Sequence, residues 1–542
     1  MKNSITSLPK PENEPVKLYQ KGSMERKHLE KELNRQMAGT INIPLVINGK
    51  EIYTSDRHDI FCPHYHSKRL ASFCLAGPKE ISLAIDSALK AKKGWEALPW
   101  QERASIFLKA ADLISQKYTY LLNAATMLGQ SKNAYQAEID ATCELADFLR
   151  FNVKFMQEIY SNQPESEKGS FNRMEYRALE GFVFALTPFN FTAIAGNLST
   201  APALMGNTIV WKPSSTAVLS GYYIMNILKE AGLPDGVINF IPGKGSVVGE
   251  AVLNHKELAG IHFTGSTKVF RSLWKKVGQN IEQYRSYPRI VGETGGKGYI
   301  FMHPSADLDQ VVTAAVRGAF DYQGQKCSAL SRMYVPRSRW PEIEQEIKQK
   351  VQEIKTGPVT DFRNFMNAVI DETAFEKIRG FINRAKTSDR ARVIAGGTAD
   401  KSKGYFIHPT VIVTDDPYYE SMTDEIFGPV LTFYVYEDKD LDKALALVDE
   451  TSIYALTGAV FAKDRTVIAR MTRRLIHSAG NFYINDKPTG AIVGKQPFGG
   501  ARASGTNDKA GSFLNLLRWT SARTIKENYI PPETFAYPFM EE

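Results

Sequence analysis

The middle of the chain alternates short apolar runs with stretches of helical periodicity, and this pattern restricts the fold more than any other feature. After about residue 172 the runs are separated by glycine and proline, as in TIVWKP (208–213), GVINFIPG (236–243), GIHFTGS (260–266) and IVGETGG (290–296). Strand-like runs that alternate with helices predict a parallel sheet with crossover connections. A second alternating block, from GYIFMHP at 298 to about 500, predicts a second α/β domain.

Charge and apolar content argue against two classes of partner. The 67 basic and 59 acidic residues give a net charge of +8, which suits an anionic ligand. They are scattered and form no basic run with interleaved aromatic residues, so we expect no nucleic-acid partner. The most apolar stretch, 181–211, is interrupted by prolines and asparagines too often for about 20 continuous lipid-facing residues. We interpret it as buried core and expect no membrane partner.

The four cysteines predict a reducing compartment and no disulfide framework, because Cys62, Cys74, Cys143 and Cys327 show no paired short spacing. The nearest approach to a metal motif is CPHYH at 62–66. Its spacing matches no familiar site. We therefore interpret it as a loop or strand and expect no metal.

Cys327 has the neighbours of a reachable thiol. Gly324, Gln325 and Lys326 precede it and Ser328 follows it, where a packing cysteine would have apolar flanks. This setting predicts a loop or the start of a helix, in which a thiolate is accessible. Taken alone, the stretch leaves both a packing cysteine and a nucleophile open.

Two glycine-rich segments come close to phosphate-binding motifs without meeting them. GKGSVVGE (243–250) has its third glycine one residue too late for the dinucleotide fingerprint, and ETGGKG (293–298) lacks the upstream glycine of a P-loop. Lys212, Gly245 and Ser266 nevertheless fall near the carboxyl ends of predicted parallel strands, where a nucleotide would bind. A glycine at a tight turn remains an alternative at each glycine position.

Several segments together resemble the aldehyde dehydrogenase superfamily over about 45–525. Oxidising an aldehyde by hydride transfer requires a thiolate nucleophile, an oxyanion stabiliser, a nicotinamide and a base that activates water. The segments that carry the resemblance, in the family's order, are FTGST (263–267), ETGGK (293–297), GQKCSALSRMYVP (324–336) and EIFGPV (425–430). Three further segments resemble the L-glutamate γ-semialdehyde dehydrogenase branch in particular: TPFNFTA (187–193), INDKPTGAIVGKQPFGGARASGTNDKAG (484–511) and LRWTSARTIKEN (517–528).

The resemblance implies catalytic roles for three residues. Cys327 would add to the aldehyde, its backbone N–H and the side-chain amide of Asn190 would form the oxyanion hole, and Glu293 would activate the water that hydrolyses the thioester. A free thiol is only about 3% ionised at pH 7. We therefore expect nearby positive charge and loop N–H groups to lower the pKa of Cys327. The glycines after Glu293 are expected to make this base mobile.

The cofactor that the resemblance implies is NAD. Lys212 and Ser215 match residues that hold the adenosine ribose, while Glu425 and Phe427 match residues at the nicotinamide ribose and ring. Because Ser215 stands where many relatives have a glutamate that disfavours a 2′-phosphate, NADP stays open. The remaining implied cofactor residues are Thr187, Pro188, Phe189, Gly245, Gly249, Thr264, Gly265 and Ser266.

The resemblance also implies a pocket for an anionic substrate, in which two phenylalanines flank the aliphatic chain and glycine-rich backbone helps to anchor the α-carboxylate. Ala491 stands where this branch often has a serine, which leaves the exact acid open. Gly298 replaces the asparagine usual after the GGK sequence. The implied substrate residues are Phe191, Lys326, Ser328, Gly490, Ala491 and Phe498.

The implied fold is the α/β fold of this family, with a Rossmann-like cofactor domain, an α/β catalytic domain and a small β element for oligomerisation. We expect RMEYRAL (173–179) and FVFAL (182–186) to form strands that pair across a subunit boundary in a homodimer or larger oligomer. Residues 1–40 are expected to form an arm that packs on the surface or frays, and the ordered part is expected to begin at IPLVING (43–49). The predicted divisions are an N-terminal arm (1–40), the NAD-binding domain (41–155 and 179–292), the catalytic domain (293–505) and the bridging element (156–178 and 506–542).

The expected reaction converts L-glutamate γ-semialdehyde, NAD⁺ and water to L-glutamate and NADH in proline breakdown. Another semialdehyde dehydrogenase, for example one acting on succinate semialdehyde, and a catalytically silent binding protein remain alternatives. The association with proline breakdown implies the mitochondrial matrix. The first 40 residues carry Glu12 and Glu14 and have no arginine before Arg26, which fits a transit peptide poorly and leaves the cytoplasm open.

Overall fold

The computed structural model describes residues 7–540, so residues 1–6 of the predicted arm and 541–542 of the bridging element lie outside the described part. Its strands, in chain order, are β1 (Ile41–Ile43), β2 (Leu45–Ile47), β3 (Lys50–Ile52), β4 (Arg57–Cys62), β5 (Tyr65–Cys74), β6 (Ser170–Ala178), β7 (Phe182–Leu186), β8 (Thr208–Lys212), β9 (Ile238–Phe240), β10 (Leu258–Thr264), β11 (Arg289–Glu293), β12 (Gly298–Met302), β13 (Leu330–Pro336), β14 (Ala391–Ala395), β15 (Ala399–Asp400), β16 (Phe406–Ile407), β17 (Thr410–Thr414), β18 (Val430–Tyr436), β19 (Tyr454–Ala455), β20 (Thr457–Phe461), β21 (Asn481–Ile484), β22 (Ala501–Arg502) and β23 (Thr520–Asn528).

The α-helices separate these strands, and two π-helical segments, Leu113–Lys117 and Glu138–Glu144, adjoin them. The helices are α1 (Met24–Ala38), α2 (Pro78–Ala97), α3 (Trp100–Asp112), α4 (Thr119–Gln130), α5 (Ala134–Ala137), α6 (Leu145–Ser161), α7 (Thr192–Leu204), α8 (Val218–Ala231), α9 (Gly245–Leu253), α10 (Thr267–Gln279), α11 (Leu308–Phe320), α12 (Trp340–Glu353), α13 (Glu372–Thr387), α14 (Glu420–Thr423), α15 (Leu441–Glu450), α16 (Arg465–Arg474) and α17 (Phe513–Leu517).

The first large sheet has seven strands in the order β11-β10-β7-β8-β9-β2-β3. The strands from β11 to β9 are parallel, and β2 and β3 add an antiparallel hairpin at one edge. Alternate residues of β7 enter two different cores: Phe182 and Phe184 pack in one, Val183 and Ala185 in the other. A parallel sheet covered on both faces needs such continuous apolar strands, which explains the unbroken runs in the sequence.

The second large sheet also has seven strands, in the order β14-β17-β18-β13-β12-β20-β21, and β14 is its antiparallel edge strand. It too separates two cores, with Ile300 and Met302 of β12 on one side and Tyr299 and Phe301 on the other. The two sheets confirm the predicted α/β fold class. The assignment of residue ranges to cofactor, catalytic and bridging units stays a prediction.

The segment FVFAL corrects one expectation. It forms β7, where Phe184 pairs with Ile261 of β10 on one side and with Val210 of β8 on the other. A strand with a neighbour on each side has no free edge, so the expectation that FVFAL pairs across a subunit boundary was wrong. RMEYRAL behaves differently, because it belongs to β6, which forms a separate antiparallel pair with β23.

The N-terminal segment is packed from about residue 8, so the expectation that the ordered chain begins at 43 was wrong. Tyr19 is only 4% exposed, and its hydroxyl donates to Oε2 of Glu138 at 2.5 Å. The backbone N–H of Glu14 donates to Oδ1 of Asp147 at 2.7 Å. These partners lie more than 100 residues away, which is why local composition did not indicate them.

The structure also shows where the CPHYH segment and the four cysteines lie. CPHYH spans the turn between β4 and β5, as the loop-or-strand interpretation predicted. All four cysteines are buried free thiols. Within residues 7–540, no helix is both long and apolar enough to cross a membrane.

Candidate active site

The carboxyl edge of the first large sheet faces the amino edge of the second. Predicted site residues end or follow β7, β8, β9, β10 and β11 in the first sheet, and they precede β13 and β18 in the second. Nδ2 of Asn190 donates to the carbonyl oxygen of Gln325 at 3.0 Å, and the ring centroids of Phe189 and Phe427 are 5.9 Å apart. These contacts bring residues of both sheets into one cleft.

The loop that precedes β13 has a strained backbone. Tyr322, Gln323 and Gly324 have φ values of 52°, 54° and 67°, all in the left-handed region. A Cβ on Gly324 would lie 2.3 Å from the carbonyl oxygen of Gly428, so the position requires glycine. The buried side chain of Gln323 fixes the loop. Its partners are the carbonyl oxygens of Ser131 at 3.0 Å and Ala368 at 2.8 Å and the N–H of Asn367 at 3.0 Å.

Cys327 lies in this loop with 8% of its surface exposed. Burial raises the pKa of its thiol, and the carboxylates of Glu293 and Glu425 raise this pKa further. The backbone N–H groups of Cys327 and Ser328 lower the pKa by a smaller amount. The expectation of a lowered pKa was therefore wrong for the protein without ligands: the expected N–H groups are present, but the neighbouring charges are negative.

Asn190 follows β7 and is 4% exposed. One Nδ2 hydrogen is used by the carbonyl of Gln325, and the second can donate to an oxygen in the cleft. Gln325 is itself held, because its Oε1 accepts from the N–H of Ile370 at 2.9 Å. Asn190 thus meets the geometric need of an oxyanion donor, a neutral N–H group fixed before the charge develops.

Glu293 is the last residue of β11, and its Oε2 accepts from the N–H of Gly500 at 3.0 Å. Burial raises the pKa of the Glu293 carboxyl well above its ordinary value. The Gly500 hydrogen bond and the charge of Lys509 lower it, while Asp508 raises it. A carboxyl group with a raised pKa is suited to accept a proton from water near neutral pH.

The glycines after Glu293 allow close approach of other groups. A Cβ on Gly295 would lie 2.5 Å from Oε2 of Glu425, and one on Gly296 would lie 1.9 Å from the carbonyl oxygen of Cys327. The N–H of Gly296 also donates to Oε1 of Glu425 at 2.8 Å. These contacts give the two glycines a steric role, where the sequence interpretation linked them to mobility of the base.

The edge formed by β8, β9 and β10 fits a dinucleotide. Nζ of Lys212 donates only to the carbonyl of the next residue, Pro213, at 3.0 Å among the described contacts, and burial lowers the pKa of Lys212 to about 8. Gly245 and Gly249 lie in the first turns of α9 and have open space where a Cβ would be. A helix N-terminus with bare backbone suits a pyrophosphate.

The other predicted cofactor residues lie along the same cleft. Thr187 is engaged with the protein, because its Oγ1 accepts from Nε1 of Trp211 at 3.0 Å. The N–H of Gly265 donates to the backbone carbonyl of Glu293 at 3.2 Å. In order along the chain these residues are Thr187, Pro188 and Phe189 after β7, Ser215 after β8, Thr264, Gly265 and Ser266 around the end of β10, and Glu425 and Phe427 before β18.

Comparison with known families agrees with this arrangement. The profile of the aldehyde dehydrogenase family matches residues 52–525. The chain belongs to the aldehyde dehydrogenase family. The resemblance seen in the sequence is thereby confirmed for most of the chain.

Individual relatives of this aldehyde dehydrogenase are similar over nearly their whole length. A Dictyostelium discoideum protein named delta-1-pyrroline-5-carboxylate dehydrogenase, mitochondrial, is 52% identical over 538 residues, covering 98% of this chain and 96% of that protein. The human protein of the same name is 48% identical over 537 residues, covering 99% and 95%. The crystal structure of the Mycobacterium tuberculosis delta-pyrroline-5-carboxylate dehydrogenase bound with NAD has 51% identity, a TM-score of 0.96 and full coverage of both chains.

The predicted substrate side of this aldehyde dehydrogenase begins next to Cys327. Oγ of Ser328 and Oγ1 of Thr489 are 2.8 Å apart, so the loop with Gly490 and Ala491 lies against the residue that follows Cys327. Gly490 has a φ of 93° and is exposed. The backbone of this loop and two hydroxyl groups are therefore within reach of one ligand.

The remaining predicted substrate residues, Phe191, Phe498 and Lys326, each make a different kind of contact with the protein. Nζ of Lys132 lies 4.0 Å from the ring centroid of Phe191, so one face of that ring is covered by a cation. Phe498 exchanges two backbone hydrogen bonds with Ala510, which fixes the loop before Gly499. Lys326 forms an ion pair with Asp321 and is only partly free to meet a substrate anion.

Sequence reasoning missed a buried polar cluster beside Phe191. Lys132 and Asp140 form an ion pair of 2.7 Å with both side chains 1% exposed, and Asp140 also accepts the N–H groups of Thr192 and Ala193 at the start of α7. Burial raises the pKa of the nearby Glu144 to about 8. No motif marks these residues. The available signal was the repetition of acidic residues in the otherwise helical, apolar stretch 131–149.

Lys297 was also missed as a site residue. Its side chain is buried, and Nζ donates to Oγ of Ser331 at 2.6 Å. Burial lowers its pKa to about 7, and Arg332 lowers it further against the opposing effect of Glu425. Gly298, the next residue, has no room for the family's usual asparagine: a Cβ there would lie 2.4 Å from the carbonyl oxygen of Ala329.

Proposed function

We propose that this protein is an NAD-dependent dehydrogenase that oxidises L-glutamate γ-semialdehyde to L-glutamate. The observation that carries the proposal is the meeting of Cys327, Asn190 and Glu293 in one cleft, in a chain about half identical to proteins named delta-1-pyrroline-5-carboxylate dehydrogenase. Catalytically silent relatives would have no need to keep a nucleophile, an oxyanion donor and a base together.

The chain's residues divide the chemistry as follows. The sulfur of Cys327 bonds to the aldehyde carbon, and the oxyanion that forms is met by the Asn190 amide and the loop N–H groups. NAD, when bound, supplies the acceptor for the hydride that leaves this carbon. Glu293 then takes a proton from water, whose oxygen attacks the thioester and releases the acid. The raised pKa of Glu293 supports this role.

The polar groups beside Cys327 support an acidic substrate. Ser328 and Thr489 have hydroxyl groups, and the backbone of the exposed Gly490 and the half-buried Ala491 is proposed to supply N–H donors. Ala491 lacks the hydroxyl that the branch often has at this position. Thr489 lies two residues before it and places its hydroxyl 2.8 Å from that of Ser328.

The proposal is tested by NADH production from pyrroline-5-carboxylate, succinate semialdehyde and propanal, each with NAD and with NADP. We expect kcat/KM to be highest for pyrroline-5-carboxylate with NAD. A preference for succinate semialdehyde would keep the chemistry and change the substrate, with Ala491→Ser as the first variant to examine. Wild-type protein that binds NAD but oxidises none of the aldehydes would contradict the proposal and favour a binding protein.

We also propose a homo-oligomer. Strands β6 and β23 form a separate two-stranded ladder of nine residue pairs, from Ser170 with Asn528 to Ala178 with Thr520. Neither outer edge has a partner strand among the described residues, although Ser166 and Gln163 already bond the N–H groups of Asn172 and Met174 on β6. The outer edge of β23 is therefore the one that favours pairing with another chain. Light scattering after size-exclusion chromatography would test this; a monomer at micromolar concentration would contradict it.

Localisation in the mitochondrial matrix is the last element of the proposal. It is supported by relatives from Dictyostelium, zebrafish and human whose names include the word mitochondrial. Imaging of the chain fused at its carboxyl terminus to a fluorescent protein would test it, and cytosolic fluorescence would favour the alternative.

A further inference from the structure

Glu293 and Lys509 are connected through one peptide group. Nζ of Lys509 donates to the carbonyl oxygen of Gly499 at 3.2 Å. The N–H of Gly500 donates to Oε2 of Glu293 at 3.0 Å. This carbonyl and this N–H belong to the same peptide unit. A cation that polarises the carbonyl makes the N–H a stronger donor, because hydrogen bonds in a chain reinforce one another.

Lys509 is placed for this contact by its backbone. Asn507 and Lys509 have φ values of 56° and 50°, an unusual conformation for two residues that are not glycine. Nζ of Lys509 also donates to the carbonyl of Gly480 at 2.7 Å. No carboxylate lies within ion-pair distance of Lys509 in the described part of the chain, and Glu293 is the acid whose charge acts on it. The ammonium group is therefore held against backbone carbonyls beside the base.

The carboxylate of Glu293 is enclosed by glycine backbone. A Cβ on Gly499 would lie 3.2 Å from Oε1 of Glu293, and a Cβ on Gly505 would lie 3.1 Å from the same atom. Gly505 also has a φ of 149°. Larger residues at these positions would displace the carboxylate from the Gly500 N–H, so the position of Glu293 depends on this loop.

Three other charged or titratable groups face the pair. Asp508 is held by Oγ1 of Thr506 at 2.5 Å and lies 3.5 Å from Arg518. The negative charge of Glu293 also acts on Cys327 and raises the pKa of its thiol. Lys509 is the one cation that acts directly on Glu293 among the described residues, whereas Asp508 opposes its ionisation.

We propose that Lys509 is a positioning residue for Glu293, keeping its carboxylate ionised and aimed through the peptide group between Gly499 and Gly500. The inference rests on the proposed role of Glu293 as the base of thioester hydrolysis. Since Lys509 stabilises the anionic form of Glu293, its removal raises the pKa of the base and slows the hydrolytic step at neutral pH, while bond formation at Cys327 and hydride loss continue.

The test compares Lys509→Met, Lys509→Arg and Lys495→Met, the last being the same substitution at an exposed lysine nearby. For Lys509→Met we expect the acid limb of the kcat profile to move about one pH unit upward, a loss of about tenfold below the new limb and little loss above it. The first turnover of NADH should survive as a burst. Lys509→Arg should restore most of the profile, and Lys495→Met should match wild type.

A double variant separates this role from a merely structural one. In a Glu293→Gln background, Lys509→Met should cause little further loss, because the group that it acts through is absent. An additive loss, or an unshifted acid limb in a Lys509→Met protein that still binds NAD, would overturn the inference. Any aldehyde that the wild type oxidises serves for the assay, so failure on pyrroline-5-carboxylate alone would contradict only the proposed substrate.

Discussion

The two large sheets have the same size and nearly the same design, yet they present opposite ends to the cleft. In the first, Asn190, Lys212 and Glu293 follow or end strands, as expected for ligand sites of parallel sheets. In the second, Lys297, Cys327 and Glu425 precede strands. The rule for carboxyl ends thus describes the first sheet only, and the second contributes through the loops that enter its strands.

The two sheets also differ in their proposed roles: the first would bind the cofactor, and the second would supply the nucleophile. The first sheet presents helix N-termini, bare glycine backbone and Lys212, which are groups that hold a dinucleotide. The second presents a strained loop fixed by Gln323, and this loop holds the thiol. Glu293 is an exception to this division, since it ends a strand of the first sheet but is proposed to act on the thioester formed at Cys327 in the second.

Replacing the nucleophile should give the largest effect. Cys327→Ala removes the atom that is proposed to bond to the aldehyde, and we expect kcat to fall by about 10⁴-fold or more. Because the cofactor edge belongs to the other sheet, NAD affinity measured by fluorescence titration should change by less than about threefold. Loss of NAD binding in a folded Cys327→Ala protein would contradict the separation of the two sheets.

Replacing the base should affect one step more than the others. Glu293→Gln keeps the hydrogen bond from Gly500 but cannot take a proton, so we expect steady-state turnover to fall by about 10²–10³-fold. Rapid mixing should still show one NADH per site. A variant that loses the burst in the same proportion as the steady-state rate would show that Glu293 also acts before hydrolysis.

The raised pKa of Cys327 predicts a pH dependence of alkylation. Without ligands, the rate of modification by iodoacetamide should keep rising with pH beyond 9, since only the thiolate reacts and burial, Glu293 and Glu425 all disfavour it. Glu293→Gln removes one of these carboxylates and should increase the rate several-fold at pH 8. A plateau below pH 8 in the wild type would mean that the thiol is already activated without ligands.

The lowered pKa of Lys212 predicts a pH dependence of NAD binding at the first sheet. Its pKa of about 8 means that the ammonium form is lost as the pH rises above 8 in the protein without ligands. We expect Lys212→Met to raise the KM for NAD about tenfold at pH 7, the loss of one charged hydrogen bond. The KM of the wild type should rise towards that of the variant between pH 8 and 10, with Lys495→Met as the control that keeps the wild-type profile.

The sequence predicted features that depend on neighbouring residues better than features that depend on contacts between distant segments. Strand-like runs such as TIVWK are local and indicated the α/β fold class, whereas the residues of the cleft were implied by the resemblance of the signature segments to the aldehyde dehydrogenase superfamily. The raised pKa of Cys327 could not be predicted, because it depends on burial of the thiol and on the charges of Glu293 and Glu425, which are distant in the sequence. FVFAL was misplaced for a similar reason: an apolar run does not show which strands will flank it. Local sequence also did not indicate the buried ion pair of Lys132 and Asp140.

The smallest effect concerns the N-terminal segment, which the sequence interpretation treated as an arm. Nδ2 of Asn13 donates to Oδ2 of Asp147 at 2.8 Å and to the carbonyl oxygen of Val493 at 2.9 Å, two residues after Ala491. Asn13 thus links the second sheet's substrate loop to helix α6. Asn13→Ala should loosen this loop and raise the KM for pyrroline-5-carboxylate by about fivefold with kcat little changed, since one hydrogen bond contributes about 1 kcal/mol.

The same contacts give this last effect a pH dependence. Burial raises the pKa of Asp147 to about 6, while the bonds from Asn13 and from the N–H of Glu14 lower it. Below pH 6 the protonated Asp147 accepts these bonds less well, so the wild type should approach the higher KM of the variant, and the two should differ most above pH 7. Asn383→Ala, at an exposed asparagine of α13, is the matched control. Equal KM values for Asn13→Ala and wild type at pH 8 would show that the substrate loop is held by the second sheet alone.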